Sequence, residues 1–334
     1  QLSDLKFNQM KRIIYKSKRQ LIFCSYLIAS LLLACNASFA QNDSATQTEA
    51  PTPVKHKPVK NTFRSVWIID DQTVMVPIKG TLEADIQHRF GTVQNGPKDL
   101  WGIYASANMR IGFSYAPINN LSLGFGATRN NGNMLLDGSA KYAIIKQTKE
   151  KYPVSVTYYG NMAYGTKADP AHFLYTYQSQ RWSFFNELII ARKISDKFSV
   201  QIAASISHQN SVPGYYAQKD TVTFVYKEQK FDLFAASVSA RYVLSEVTSI
   251  IVDYDQPLTR FPTDNPHPNL AFGFEFNTSG HTFQLFACNY SLLNPQQNSL
   301  YNTNNPMGFK QSNGTKVKGG QYLIGFNITR LWNY

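Results

Sequence analysis

Eight charged side chains carry most of the chemistry this sequence offers: Glu83, Asp85, Arg89, Arg110, Lys141, Arg241, Asp253 and Glu275. Each lies in a run where large apolar residues alternate with small or polar ones, and each shares parity with the polar set. In LEADIQHRFG, residues 82–91, Leu82, Ala84, Ile86, His88 and Phe90 take one side and Glu83, Asp85, Gln87 and Arg89 the other, because successive strand side chains point to opposite faces. Four of the eight are acidic and four basic. That balance suits mutual pairing in a shared interior and little preference for ions of one sign. Glu83 and Arg110 are expected to be cross-strand or diagonal neighbours in the first hairpin.

Catalytic patterns are missing. There is no phosphate-cradling glycine loop, no His-Glu-x-x-His and no nucleophile elbow. Of the six histidines, His88 and His208 fall on the apolar parity near strand ends, where an interfacial position explains them better than metal ligation. An outer-wall lipid hydrolase needs serine and histidine within reach of each other, and His208 with a neighbouring serine is the only candidate pair. We expect no enzyme, no metal and no cofactor.

The elements that position these charges are strands. Twelve are expected, near 82–90, 102–115, 121–128, 136–146, 153–164, 182–193, 197–208, 231–244, 247–255, 270–277, 281–290 and 321–332, an even number as a closed antiparallel barrel prefers. Connections at 116–120, 147–152, 194–196, 245–246 and 278–280 are short and every intervening one is longer, notably 165–181, 209–230, 256–269 and 291–320. Short turns at one end and long polar loops at the other are the outer-membrane pattern. A sheet in lipid must close to leave no unpaired edge, so the expected fold is an all-β, closed antiparallel transmembrane β-barrel over 80–334. Aromatic residues make up 14% of the chain; Trp101, Tyr104, Tyr115, Tyr164, Trp182, Tyr242, Tyr254, Tyr290, Trp332 and Tyr334 lie near strand ends, where interfacial girdles form. Arg330 is the exception on the outward parity. Its cost is about 0–1 kcal/mol near an interface against about 2–4 at the midplane, so it should sit near one.

Ahead of the barrel, basic residues Lys11 to Arg19 precede the apolar run LIFCSYLIASLLLAC, which ends in Ser38-Phe39-Ala40. This order reads as a secretory signal over 1–40, with Met10 as the expected start. Leu32-Leu33-Ala34-Cys35 also fits a lipoprotein signal, which would lipidate Cys35. Removing 1–40 takes away six basic residues and one acidic one, lowering the formal charge from +12 to +7. The remainder shows no basic cluster, so nucleic acid is not an expected partner. Cleavage after Ala40 leaves Cys288 as the lone cysteine. Residues 41–60 are polar and proline-rich, a linker composition. Residues 61–79, with Phe63, Trp67, Ile68 and Ile69, are too apolar for a linker and are expected to plug the lumen or cap its periplasmic mouth.

The runs NTFRSVWIIDDQTV (61–74), GTLEADIQHRFG (80–91), RIGFSYAPINNLSLGFG (110–126), DGSAKYAIIKQ (137–147) and YPVSV (152–156) resemble the Bacteroidota family described as membrane-bound β-barrel proteins of unknown function. The resemblance implies an outer-membrane barrel and carries no catalytic residue across. The function expected is a porin-like conduit for an unknown small solute, or else a structural or partner-bound barrel with a filled lumen. Expected partners are outer-membrane lipid and the barrel assembly machinery, through the C-terminal strand QYLIGFNITRLWNY. Both termini should be periplasmic.

Overall fold

The computed structural model describes residues 57–334 apart from 131, 132, 150, 173, 311–315, 318 and 334. The segment read as a secretory signal, Cys35, most of the 41–60 stretch read as a linker, and Tyr334 lie outside the described residues. The chain begins with a small hairpin, β1 (Trp67–Ile68) and β2 (Asp71–Gln72). Strands β3 (Thr81–Thr92), β4 (Asn108–Ile118), β5 (Leu121–Asn130), β6 (Asn133–Ile145), β7 (Ser155–Gly165), β8 (Trp182–Lys193) and β9 (Phe198–Gln209) follow as a meander. A loop hairpin, β10 (Gly214–Gln218) with β11 (Phe224–Glu228), interrupts it before β12 (Asp232–Val243), β13 (Thr248–Pro257), β14 (Asn269–Asn277) and β15 (His281–Cys288). Helix α1 (Pro295–Tyr301), the short pair β16 (Phe309–Lys310) and β17 (Lys316–Val317), and β18 (Leu323–Asn333) complete the chain.

All strands but β1, β2, β10, β11, β16 and β17 form one closed antiparallel barrel of twelve, sealed where β18 pairs with β3, with Ile328 opposite Ile86. Alternation decides which side each residue takes. On β14, Phe272, Phe274 and Phe276 are 50%, 40% and 41% exposed on the outer wall while Glu275 between them is 2% exposed inside. Outer rows of Ile111, Phe113 and Phe125 repeat the pattern. A water-soluble sheet would bury such rows; here the apolar band faces outward, as a lipid-facing wall does.

The hydrophobic core lies inside the wall. Phe63, Ile68, Ile69 and Val74 of the N-terminal segment pack with inward-facing Phe185, Ile189, Ile251 and Phe286. A twelve-strand barrel is wider than the eight-strand kind that side chains alone can fill, and here an inserted segment takes up the space. It enters from the end of the short turns, since β3 starts there. From the opposite end the β15–β18 connection sends in α1, whose Gln296, Asn298 and Ser299 are buried; Gln296 Nε2 donates to Asn161 Oδ1 at 2.6 Å.

Three details differ from the sequence expectations. The second strand starts at Asn108, not 102, because the chain before it is wound into a turn: Asp99 Oδ1 accepts from the Gly102 amide at 2.9 Å, and Leu100 and Trp101 both take positive φ. Gly102 itself has φ +86° and presses on Gly91, where a Cβ would lie 2.1 Å from the carbonyl oxygen. The β5–β6 connection is not long; Asn130 pairs with Asn133 across residues 131–132, an Asn-Gly dipeptide of the sort two-residue hairpins favour. Tyr290 belongs to no girdle: it is 1% exposed, and its hydroxyl donates to Asp70 in the lumen. Arg330 lies on the outer face beside His281, with its Nη1 2.9 Å from the ring and its guanidinium over Trp332, level with the short turn 278–280.

Candidate functional site

The inward parity of β3 to β7 builds the first charged group. Arg110 on β4 lies between Asp85 of β3 and Asp137 of β6; its Nη1 donates to Asp85 Oδ2 at 2.7 Å and its Nη2 to Asp137 Oδ1 at 2.9 Å. Two glycines make room for it. A Cβ at Gly112 or Gly126 would sit 2.4 Å or 2.3 Å from the guanidinium. Register corrects the expected pairing: Glu83 stands opposite Ser114, whose hydroxyl donates to it at 2.8 Å, and Arg110 stands opposite Gln87. Glu83 and Arg110 share the inward face, but Asp85 comes between them and takes the ion pair.

A second pair joins β12 to β14, where Arg241 Nε donates to Glu275 Oε1 at 2.8 Å. Among the described residues the other two basic residues form no ion pair with a carboxylate. Lys141 donates to Gln72 Oε1 at 2.9 Å and to the Val66 carbonyl at 3.2 Å, both on the inserted segment. Arg89 donates to Asn327 Oδ1 at 2.9 Å, and its guanidinium stacks 4.5 Å from the Phe286 ring centroid. Asp253 accepts from Ser239 at 3.0 Å. All eight sequence-derived residues are at most 5% exposed. They therefore face a packed interior, where an ion pair is screened far less than in water.

The inserted segment is held by wall side chains that grip its backbone. Gln284 of β15 donates from Nε2 to the Trp67 carbonyl at 2.9 Å and accepts from the Ile69 amide at 3.1 Å. That amide copies what a neighbouring strand would supply. Asn327 of β18 donates to the Ile69 carbonyl, Gln201 of β9 to the Gln72 carbonyl at 2.9 Å, and Thr157 of β7 to the Val74 carbonyl at 3.2 Å. Arg110 lies over the Trp67 ring at 5.4 Å. Beyond the eight, then, Asp137, Gln201, Gln284, Asn327, Glu187 and Asp255 are also buried in the interior. Their inward parity was readable, but polar type and parity do not say which side chain touches the inserted segment.

At the tip of that segment Asp70 accepts from Tyr290 and from Asn298 Nδ2, so the hairpin and the α1 loop meet there. Burial, followed by the charge of Asp70, pushes the Asp71 carboxyl up to about 6. Burial and the same neighbour hold the Tyr290 hydroxyl well above its usual range, which suits it as a donor. On the outer side, His208 does not form the serine pair of a hydrolase: Nδ1 is 2.6 Å from Asp232 Oδ1 and Nε2 3.0 Å from Asn210 Oδ1. His88 stacks on Phe326 at 5.1 Å.

A family match also reports a membrane-bound β-barrel. Residues 63–332 match the model of the membrane bound beta barrel domain family, DUF5777. The chain belongs to that family. The match takes in the inserted hairpin as well as the wall, so both are parts of this membrane bound beta barrel domain. A comparison with curated proteins found no match. Among solved structures the chain is similar to the NanC porin, at 9% identity over 76% of this chain and 99% of that one, with a TM-score of 0.42. It is similar to the KdgM porin at 7% identity over 76% and 99%, TM-score 0.40. An outer membrane channel from Pseudomonas putida F1 matches at 13% identity over 77% and 97%, TM-score 0.40.

Proposed function

We propose that the protein is a porin-like outer-membrane conduit for a small solute, kept closed by the 61–79 segment, in a Bacteroidota-type outer membrane. The observation that carries this reading is how the segment is attached. Its backbone is held by side chains of β7, β9, β15 and β18, and no part of it pairs as a strand with the wall. A segment held in this way can leave without opening the barrel. The two ion-paired groups of the interior, around Arg110 and Arg241, also support a second reading, a structural barrel whose lumen stays filled.

Planar-bilayer recording separates the two. The whole chain should conduct weakly, and deletion of 61–79 should raise single-channel conductance. Silent bilayers for both favour the structural barrel, and phospholipid hydrolysis abolished by His208→Ala would overturn both readings.

The conduit reading also sets an orientation, with both termini periplasmic and the long loops outside. Single cysteines introduced as Ala168→Cys, Thr221→Cys and Thr303→Cys should react with an impermeant thiol reagent on intact cells. Ser195→Cys, in the turn between β8 and β9, should not; the reverse labelling pattern would invert the topology.

A further inference from the structure

Where the hairpin tip meets β13, acceptors outnumber donors. One carboxylate oxygen from each of Asp70, Asp253 and Asp255 lies within 4.8 Å of the others. Asp70 and Asp255, together with Asp71 and Glu187, border a cavity of about 20 Å³, room for one water or ion. Tyr290 and Asn298 donate to Asp70, but the donors at Asp71, Asp253 and Asp255 fall short. Ser239 Oγ lies 2.9 Å from Asp71 Oδ2 and 3.0 Å from Asp253 Oδ1, and a hydroxyl has one proton to give. Asp255 accepts from Asn269 Nδ2 at 3.2 Å. Among the described residues no lysine or arginine forms an ion pair with Asp70, Asp71, Glu187, Asp253 or Asp255; the basic residues nearby are committed to Asp85, Asp137, Glu275 and the hairpin backbone.

A second observation points the same way. Asp253 Oδ2, on a residue with no exposed surface, has no hydrogen-bond partner. Nor does the side-chain oxygen of Asn298, 4% exposed, which lines the cavity. Buried carboxylates left with unmet oxygens are costly unless a positive charge joins them. Oxygen-only donor sets suit hard cations, and two oxygens bound to Ca²⁺ at its usual 2.3–2.6 Å can be at most about 5 Å apart. The observed spacing meets that limit.

We propose that Asp70, Asp253 and Asp255 bind a hard divalent cation, Ca²⁺ or Mg²⁺, that clamps the tip of the luminal hairpin to β13. The ion would cross-link the inserted segment to the wall by ligands from both, so its removal would loosen the hairpin without touching strand pairing. This site stands on the carboxylate geometry and does not depend on solute passage.

The test uses the purified whole chain in detergent, stripped with chelator and then titrated separately with CaCl₂ and MgCl₂. Thermal unfolding and Tb³⁺ luminescence sensitised by Trp67, which lines the same cavity, give two independent readouts. The expected result is a saturable rise in unfolding temperature and Tb³⁺ emission displaced by Ca²⁺ or Mg²⁺; whichever cation acts at lower concentration identifies the resident ion. Asp253→Asn and Asp255→Asn should each raise the unfolding temperature in chelator, by relieving carboxylate repulsion, while abolishing the cation response. Asp70→Asn, on the hairpin and outside the wall, should do the same and serves if a wall variant fails to migrate as a closed barrel. No cation response in the native chain, with all three variants merely more stable, means that the carboxylates share protons and overturns the site. A response that survives all three substitutions places the ion elsewhere and overturns it equally.

Discussion

Arg110→Ala should destabilise the folded barrel by about 3–5 kcal/mol, the usual loss when one member of a buried ion pair is removed. The size follows from what stays behind: Asp85 and Asp137, both at most 5% exposed, would face each other with no cation between them. A hole the size of the guanidinium would also open beside Gly112 and Gly126. Denaturant unfolding followed by the heat-modifiable migration of the barrel measures the loss. The triple change Arg110→Met, Asp85→Asn, Asp137→Asn should recover most of it, because replacing all partners of a buried ionic group by neutral ones is often close to neutral. A loss for Arg110→Ala below about 1 kcal/mol is what exposed pairs give. It would mean that water reaches this group and that the lumen is not packed around it.

Loosening the hairpin should open the barrel. Gln284→Ala removes the bonds to the Trp67 carbonyl and the Ile69 amide, and Asn327→Asp removes the donor to the Ile69 carbonyl while keeping an acceptor for Arg89. Each buried backbone group left unsatisfied costs about 1–3 kcal/mol. Three such groups shift the seated hairpin toward release by at least about a hundredfold, at 1.4 kcal/mol per factor of ten. The double variant should therefore show frequent open-channel events that the native chain lacks, with wall folding unchanged. Conductance equal to the native chain would sink the gating role of the hairpin, and combining the double variant with deletion of 61–79 should add nothing further to the current.

The wall was legible from period alone, because a barrel face in lipid and a face toward the lumen impose opposite residue types on neighbouring positions. β14 shows why: Phe272, Phe274, Glu275 and Phe276 leave one register open to them. The place of Asn108 at the start of β4 was less legible, since Ile103, Ala105 and Ala107 continue the same alternation. Only the capping of Gly102 by Asp99 ends it. Pairing within the lumen was hidden for a different reason. Parity sorts Glu83, Asp85, Asp137 and Arg110 to one face, but which carboxylate meets Arg110 depends on a register and on the space left by two glycines. Asp70 lay outside any strand pattern and Tyr290 read as the girdle end of the strand 281–290; their contact exists only because two segments remote in sequence enter the barrel from opposite ends.

The grip on the hairpin has a temporal side. Trp67 and Ile69 stand before the first wall strand, yet Gln284 and Asn327, which hold them, lie 215 to 258 positions downstream. Asn327 belongs to the very strand that seals the barrel against β3. Such distant contacts form late, after the chain between them has been ordered. Through most of assembly, then, Phe63, Trp67, Ile68 and Ile69 wait beside an unfinished wall without their final partners. Because the segment pairs with no wall strand, the β18–β3 seam can seal before the hairpin is seated. An intermediate that closed with the hairpin left outside would keep an unfilled interior until the segment entered through the mouth beside the short turns.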